Sequence, residues 1–105
     1  VFYGILITVL PWQKLKVKMK VSVWDTYVQR EDGEIMHFDI LVPNLVTNEE
    51  TIFNYGRTYL KSKPFKTGKL TSSECKFCHM EQATETIINA IKNKGFYIIE
   101  MEHCN

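Results

Sequence analysis

The clearest chemical pattern in the 105-residue sequence is Cys75-x-x-Cys78-His79. Two thiols three residues apart, followed by an imidazole, suit four kinds of chemistry. A c-type haem attaches through such a motif, but that needs export and a haem-sized helical surround, for which the chain has no signal. A dithiol redox pair is the second option, since a helix N-terminus lowers a thiol's pKa; here the motif follows a loop rather than the strand of a βαβ unit. Zinc is the third. The pair would hold one side of a tetrahedral site, with Cys104, His79, His37 or His103 as further ligands. His103 and Cys104 are adjacent on an extended segment and so point to opposite faces. The plain alternative is that Cys75 and Cys78 are small buried hydrophobes, as free cysteines often are. That reading is placed first, and Cys75, Cys78, His79 and Cys104 stand as the candidate metal set, so the cofactor is expected to be none or zinc.

A second constellation lies on a hairpin. Val21–Val28 and Ile35–Val42 are rich in β-branched and aromatic residues and read as strands. Asp32-Gly33 between them is a strong two-residue turn signal. That turn pairs Thr26 with Asp39, Val28 with His37, and Trp24 with Leu41. It places Asp25 on the other face, beside Tyr27, Phe38 and Ile40. A carboxylate next to a histidine can orient the ring and raise its basicity. Asp25, Thr26, His37 and Asp39 are therefore the candidate polar site. The plain alternative is a hydrogen-bonded, partly exposed face. Asp25 on an apolar face would have to find partners or raise its pKa.

These groups must be positioned by the remaining elements. Thr47-Asn48-Glu49-Glu50 has capping-box spacing and opens a helix whose apolar stripe is Ile52, Tyr55, Gly56, Tyr59 and Leu60. Lys63-Pro64 ends it. Thr71–Glu74 repeats the capping-box spacing and is expected to start a short helix carrying Cys75 and Cys78. Thr84 caps a further helix with Ile87, Ile88 and Ile91 on its apolar side, and Gly95 suits its C-terminal end. Phe96–Met101 is a last strand. The expected fold is α+β: a small, mainly antiparallel sheet in the order β-β-α-α-β, with helices packed on one face.

Residues 1–18 read as an N-terminal extension, and residues 19–105 as a single α+β domain. Val1–Leu10 is almost wholly apolar, Pro11 breaks it, and Lys14, Lys16 and Lys18 follow. Basic residues after the apolar stretch, and no small-residue cleavage pattern, argue against a secretory signal. Ten apolar residues are too few to span a bilayer. With the three extension lysines set aside, ten basic residues face twelve acidic ones, so electrostatically driven nucleic-acid binding is not expected. Lys61, Lys63, Lys66 and Lys69 surround one loop with Phe65 and could touch phosphate, although a solvated loop is the plain reading. Glycine-rich nucleotide-binding motifs and the Gly-x-Ser-x-Gly pattern are absent.

Four blocks carry a resemblance. Met19-Lys20-Val21-x-Val23-x-Asp25-Thr26-Tyr27-Val28, Met36-His37-Phe38-Asp39-Ile40, Glu74-Cys75-Lys76-Phe77-Cys78-His79 and Gly95–Cys104 resemble a family of small bacterial proteins catalogued only as a domain of unknown function. The resemblance implies a compact α+β fold beginning near Met19, and no particular activity. The family more often reads Met-Glu-Gly-Cys near its end; His103 stands here in place of that glycine. The function expected from these observations is a small cytoplasmic domain acting as a non-enzymatic interaction or accessory protein, with zinc bound through Cys-x-x-Cys if any metal is bound. The alternative is a thiol-redox protein or an enzyme using Cys75 and Cys78, or His37 with Asp39. A homodimer is a natural way for so small a domain to complete its core.

Overall fold

A computed structural model describes residues 18–105. The expected extension, Lys18 apart, lies outside the described residues. The elements are β1 (Lys20–Gln29), β2 (Ile35–Pro43), α1 (Glu49–Lys61), β3 (Cys75–Gln82), α2 (Glu85–Lys94) and β4 (Tyr97–Glu102). The four strands form one antiparallel sheet in the order β3-β1-β2-β4. The α+β class and the antiparallel sheet are as the sequence leads one to expect. The element order differs, because a strand stands where a short helix was expected.

That strand is β3. Thr71 and Glu74 do form a capping box: the Thr71 backbone N–H and hydroxyl both donate to Glu74 Oε1, at 2.7 and 2.6 Å. The helical bonds from Glu74 and Cys75 back to Thr71 O complete a single turn. The chain then extends along the free edge of β1, where pairing supplies backbone hydrogen bonds that further helix would have to supply itself.

Two-sided alternation organises the core. Trp24, Thr26 and Val28 of β1 share a face with Met36, Phe38, Ile40 and Val42 of β2, and α1 covers that face with Ile52, Phe53 and Leu60. The opposite face carries Val21, Val23 and Leu41, covered by Ile87, Ile88 and Ile91 of α2, with Tyr97 and Ile99 packed alongside. The two helices thus bring their apolar stripes to opposite faces, not to one. The inner strands require this, since Val21, Val23 and Leu41 are as fully buried as the residues under α1.

The hairpin loop sets the register. Arg30 N–H donates to Glu34 O and Gly33 N–H to Arg30 O, so the loop holds three residues, Glu31, Asp32 and Gly33. Gly33 sits at φ +94°, the left-handed position such a loop needs. One more loop residue than the sequence signal implied moves every cross-strand pair by one: Asp25 faces Asp39, Thr26 faces Phe38, and Tyr27 faces His37.

The helix ends follow local chemistry. The α1 cap is Asn48 rather than Thr47; its side chain accepts from the backbone N–H groups of Glu50 and Thr51 at 3.0 and 3.4 Å. Thr84 caps α2 as expected, and Gly95 closes it in the left-handed conformation. His103 also adopts a positive φ, +53°, a conformation that favours glycine. The cap assignment predicts that Asn48→Ala costs about 1 kcal/mol in urea unfolding while Thr47→Ala costs close to nothing. The reverse order would place the cap one residue earlier.

Candidate functional site

Helix α2 has 10 residues and so is roughly 15 Å long. Strand β1, also 10 residues, runs roughly 33 Å. The helix covers only the end of the sheet holding Val21, Val23 and Leu41. The other half of that face stays open, and there the polar residues of β1 and β2 gather.

The observed register brings Asp25, His37 and Asp39 together. His37 Nε2 lies 3.1 Å from Asp25 Oδ1 and 3.8 Å from Asp39 Oδ1. One ligand atom from each of the three residues falls within a mutual 4.8 Å. Among the described residues this is the one group of three or more His, Cys, Asp or Glu side chains so arranged. Asp39 and His37 are largely buried, each about 14% exposed at the side chain, while Asp25 is 39% exposed. The Asp39 Oδ1 atom is buried without a hydrogen-bond partner. Neither aspartate is paired with a lysine or arginine among the described residues.

Two further groups flank the imidazole. Tyr27, opposite His37 on β1, stacks on the ring with centroids 4.1 Å apart and planes 12° from parallel. On the other side, a bulge in the β2–β4 pairing puts Glu102 opposite His37, with Oε1 4.0 Å from Nδ1. Both were missed in the sequence. Tyr27 would have followed from a three-residue loop. Glu102 depends on the bulge, because simple alternation from Tyr97 and Ile99 puts Met101 on this face.

The carboxyl pair is electrostatically divided. Burial, then the hydrogen bond and charge of Asp25, push Asp39 up to about 6. The bond from Asp39, assisted by His37, holds Asp25 below the usual carboxylate range, against a smaller opposing effect of burial. The pair titrates as a coupled unit in which Asp39 holds its proton more tightly than Asp25.

Thr26, the remaining candidate of the polar set, is absent from this face. It is fully buried on the α1 side, donating to Trp24 O at 3.3 Å. Its neighbour there is Cys75, its partner on β3. Asp25, conversely, leaves the apolar face on which the two-residue turn had placed it.

The thiol set does not converge. Cys75 is buried under α1, and Cys78 is exposed at a bulge where β3 slips against β1. Residues three apart on a strand are about 10 Å apart, beyond the roughly 7 Å limit for a disulfide. Cys104 is buried beyond β4, where its thiol reaches His37 O and Glu102 O. Strands β3 and β4 are the opposite edges of the sheet, about 14 Å apart at ordinary strand spacing, so Cys104 cannot join Cys78 and His79 around one ion. The expected zinc set of Cys75, Cys78, His79 and Cys104 is thus separated by the strand that replaces the expected helix. Cys78 does lie 3.2 Å from His79 Nδ1, and His79 Nε2 lies 2.9 Å from Glu81. Desolvation and the charges of Asp25 and Asp39 nevertheless push the Cys78 thiol up, opposite to the shift an activated nucleophile requires.

The site makes a titration prediction. The folded-state pKa of Asp39 lies above its ordinary 3.8, so its contribution to stability is present at low pH and is lost as pH rises from about 4 to 6. Asp25 has the opposite sign: its contribution is present above the ordinary carboxylate range and lost as pH falls. Carbon-detected NMR titration should find Asp39 near 6 in the intact protein, and lower in Asp25→Asn but still above its ordinary 3.8, because its burial persists. A midpoint near 4 in both would dissolve the pair.

Three comparisons bear on the chain. A family described as a domain of unknown function (DUF2024) matches residues 19–101. No curated protein matches it. Among solved structures, the NMR structure of a Nitrosomonas europaea protein, a structural genomics target, is similar with TM-score 0.66 and 38% identity, covering 83% of this chain and 100% of that one.

Proposed function

The chain belongs to the family described as a domain of unknown function, DUF2024, and from its site we propose that it binds a divalent first-row cation through Asp25, His37 and Asp39. The carrying observation is the convergence of one imidazole nitrogen and two carboxylate oxygens, with no lysine or arginine paired to either carboxylate among the described residues. Adjacent ligands about 2.1 Å from a metal are roughly 3.0–3.4 Å apart at octahedral or tetrahedral angles. The 3.1 Å separation of His37 Nε2 from Asp25 already meets this. The 3.8 Å separation from Asp39 is met by a shift of about half an ångström.

The arrangement around His37 supports the same reading. A metal-binding histidine usually donates its second ring N–H to a carboxylate, which orients the ring. Glu102 stands on the Nδ1 side at 4.0 Å, a small side-chain movement short of such a bond, and Nε2 is directed toward the aspartates. Mixed nitrogen and carboxylate donors suit zinc, manganese or ferrous iron better than calcium or the soft cuprous ion. Three protein ligands on an open face leave positions for water or a bound molecule, as in catalytic rather than structural sites. A cation held this way lowers the pKa of its water and polarises a bound oxygen. This reading moves the expected zinc from the cysteines to the carboxylates, and takes the domain beyond an accessory role.

Isothermal titration of Zn2+ and Mn2+ into chelator-treated protein tests it. One ion per chain should bind at pH 7.5. Affinity should fall as pH drops through about 6, where a proton on Asp39 competes. His37→Ala and Asp39→Asn should weaken binding by roughly 100-fold or more, Glu102→Gln by about 10-fold, and Cys78→Ser not at all. Absence of binding, or its loss in Cys78→Ser alone, contradicts the assignment.

A further inference from the structure

The loop between α1 and β3 forms a second concave surface, on the α1 side of the sheet and so on the face opposite the carboxylates. A cavity of about 510 Å3 opens between the last turns of α1 and residues 65–71. Small-molecule sites typically fall between about 300 and 1,000 Å3. Its apolar part is Leu60, Phe65 and Leu70, of which Leu60 and Leu70 belong to the core. Its charged lining is Arg57 and four lysines, with no acidic residue.

The five cations are not equivalent. Arg57 is committed to structure: its guanidinium donates to Leu70 O at 3.2 and 2.9 Å and pairs with Glu50 at 2.6 Å, tying the loop to α1. Lys63 is paired with Glu100 at 2.5 Å. Lys61, Lys66 and Lys69 form no ion pair among the described residues. Lys61, Lys66 and Lys69 are exposed along the rim, and a phosphate among them would meet positive charge with no acidic residue of the lining to oppose it. Each ammonium offers three donors and acts as a point charge toward phosphate.

We propose that this cleft binds a small molecule carrying a phosphate group on an aromatic or apolar body, with Lys61, Lys66 and Lys69 around the phosphate and Leu60, Phe65 and Leu70 against the body. The domain then has two binding surfaces of opposite sign on opposite faces of one sheet. The cleft shares no residue with the cation site, so its test stands apart from the metal reading.

Phenyl phosphate is the probe, followed by 1H–15N NMR in low salt with EDTA present, which removes any contribution from metal. Saturable shifts concentrated at residues 60–71 are expected, weakening as salt rises. Lys66→Gln/Lys69→Gln should weaken binding at least 5-fold, whereas Lys92→Gln/Lys94→Gln, on α2, should leave it unchanged. Methyl phosphate should bind more weakly than phenyl phosphate, because it lacks the apolar body. The proposal is overturned by any one of three results: no saturable shift at 60–71, equal affinity in the Lys66/Lys69 variant, or an equal effect of the Lys92/Lys94 variant.

Discussion

The site depends on the register of one hairpin. Side chains alternate along a strand, so each strand's own sequence decides which face a residue takes, but the loop decides which residues meet across the pair. With three loop residues, Asp25 meets Asp39 and Tyr27 meets His37. With two, each aspartate would face a residue of the opposite pattern, and burial would be inconsistent across the strands. Gly33 at positive φ and the Asp32 carboxylate, which accepts from Glu34 N–H at 3.1 Å, hold the loop at three. Arg30 pairs with Asp32 at 2.7 Å and also donates to the backbone oxygens of His103 and Asn105, so the loop is tied to the segment that follows Glu102.

Coverage decides where polarity is tolerated. Helix α1 and the loop after it seal one face along most of the inner strands, and that face admits Thr26 only with its hydroxyl bonded to the backbone. Helix α2 seals half of the other. A pair of aspartates beneath either helix would have carried a desolvation cost of several kcal/mol per charge. At the open half the carboxylates keep partial access to water, and the neighbouring His37 offsets part of their repulsion. The same feature that makes these residues affordable in a small domain leaves them accessible to a ligand.

Much of the fold was legible in the sequence, and the shortfalls have local causes. The strand segments, the α1 and α2 stripes, the Thr84 cap and the Gly95 end all follow from periodicity and cap chemistry. Asp25, His37 and Asp39 were recognisable as groups needing partners. Their mutual contact was not, because Asp-Gly marks a turn without saying whether a third residue joins it. The Cys75–His79 segment was read as helix because the Thr71–Glu74 capping box is real. What a capping box cannot convey is how many turns follow, and here an open strand edge competes successfully after one. Glu102 reaches the site only through a bulge, which leaves no periodic trace. For β3 and Glu102, pairing between distant segments overrode a correct local signal.

The central claim is that the open half of the sheet is a cation site formed by β1 and β2. Paramagnetic broadening by Mn2+ tests it most directly. At substoichiometric Mn2+ the account predicts selective loss of the amide signals around Asp25, Tyr27, His37, Asp39 and Glu102, while residues 60–71 and the Ile87–Ile91 face of α2 stay sharp. Broadening centred on the exposed acids Glu49 and Glu50, or no selective broadening, would contradict it.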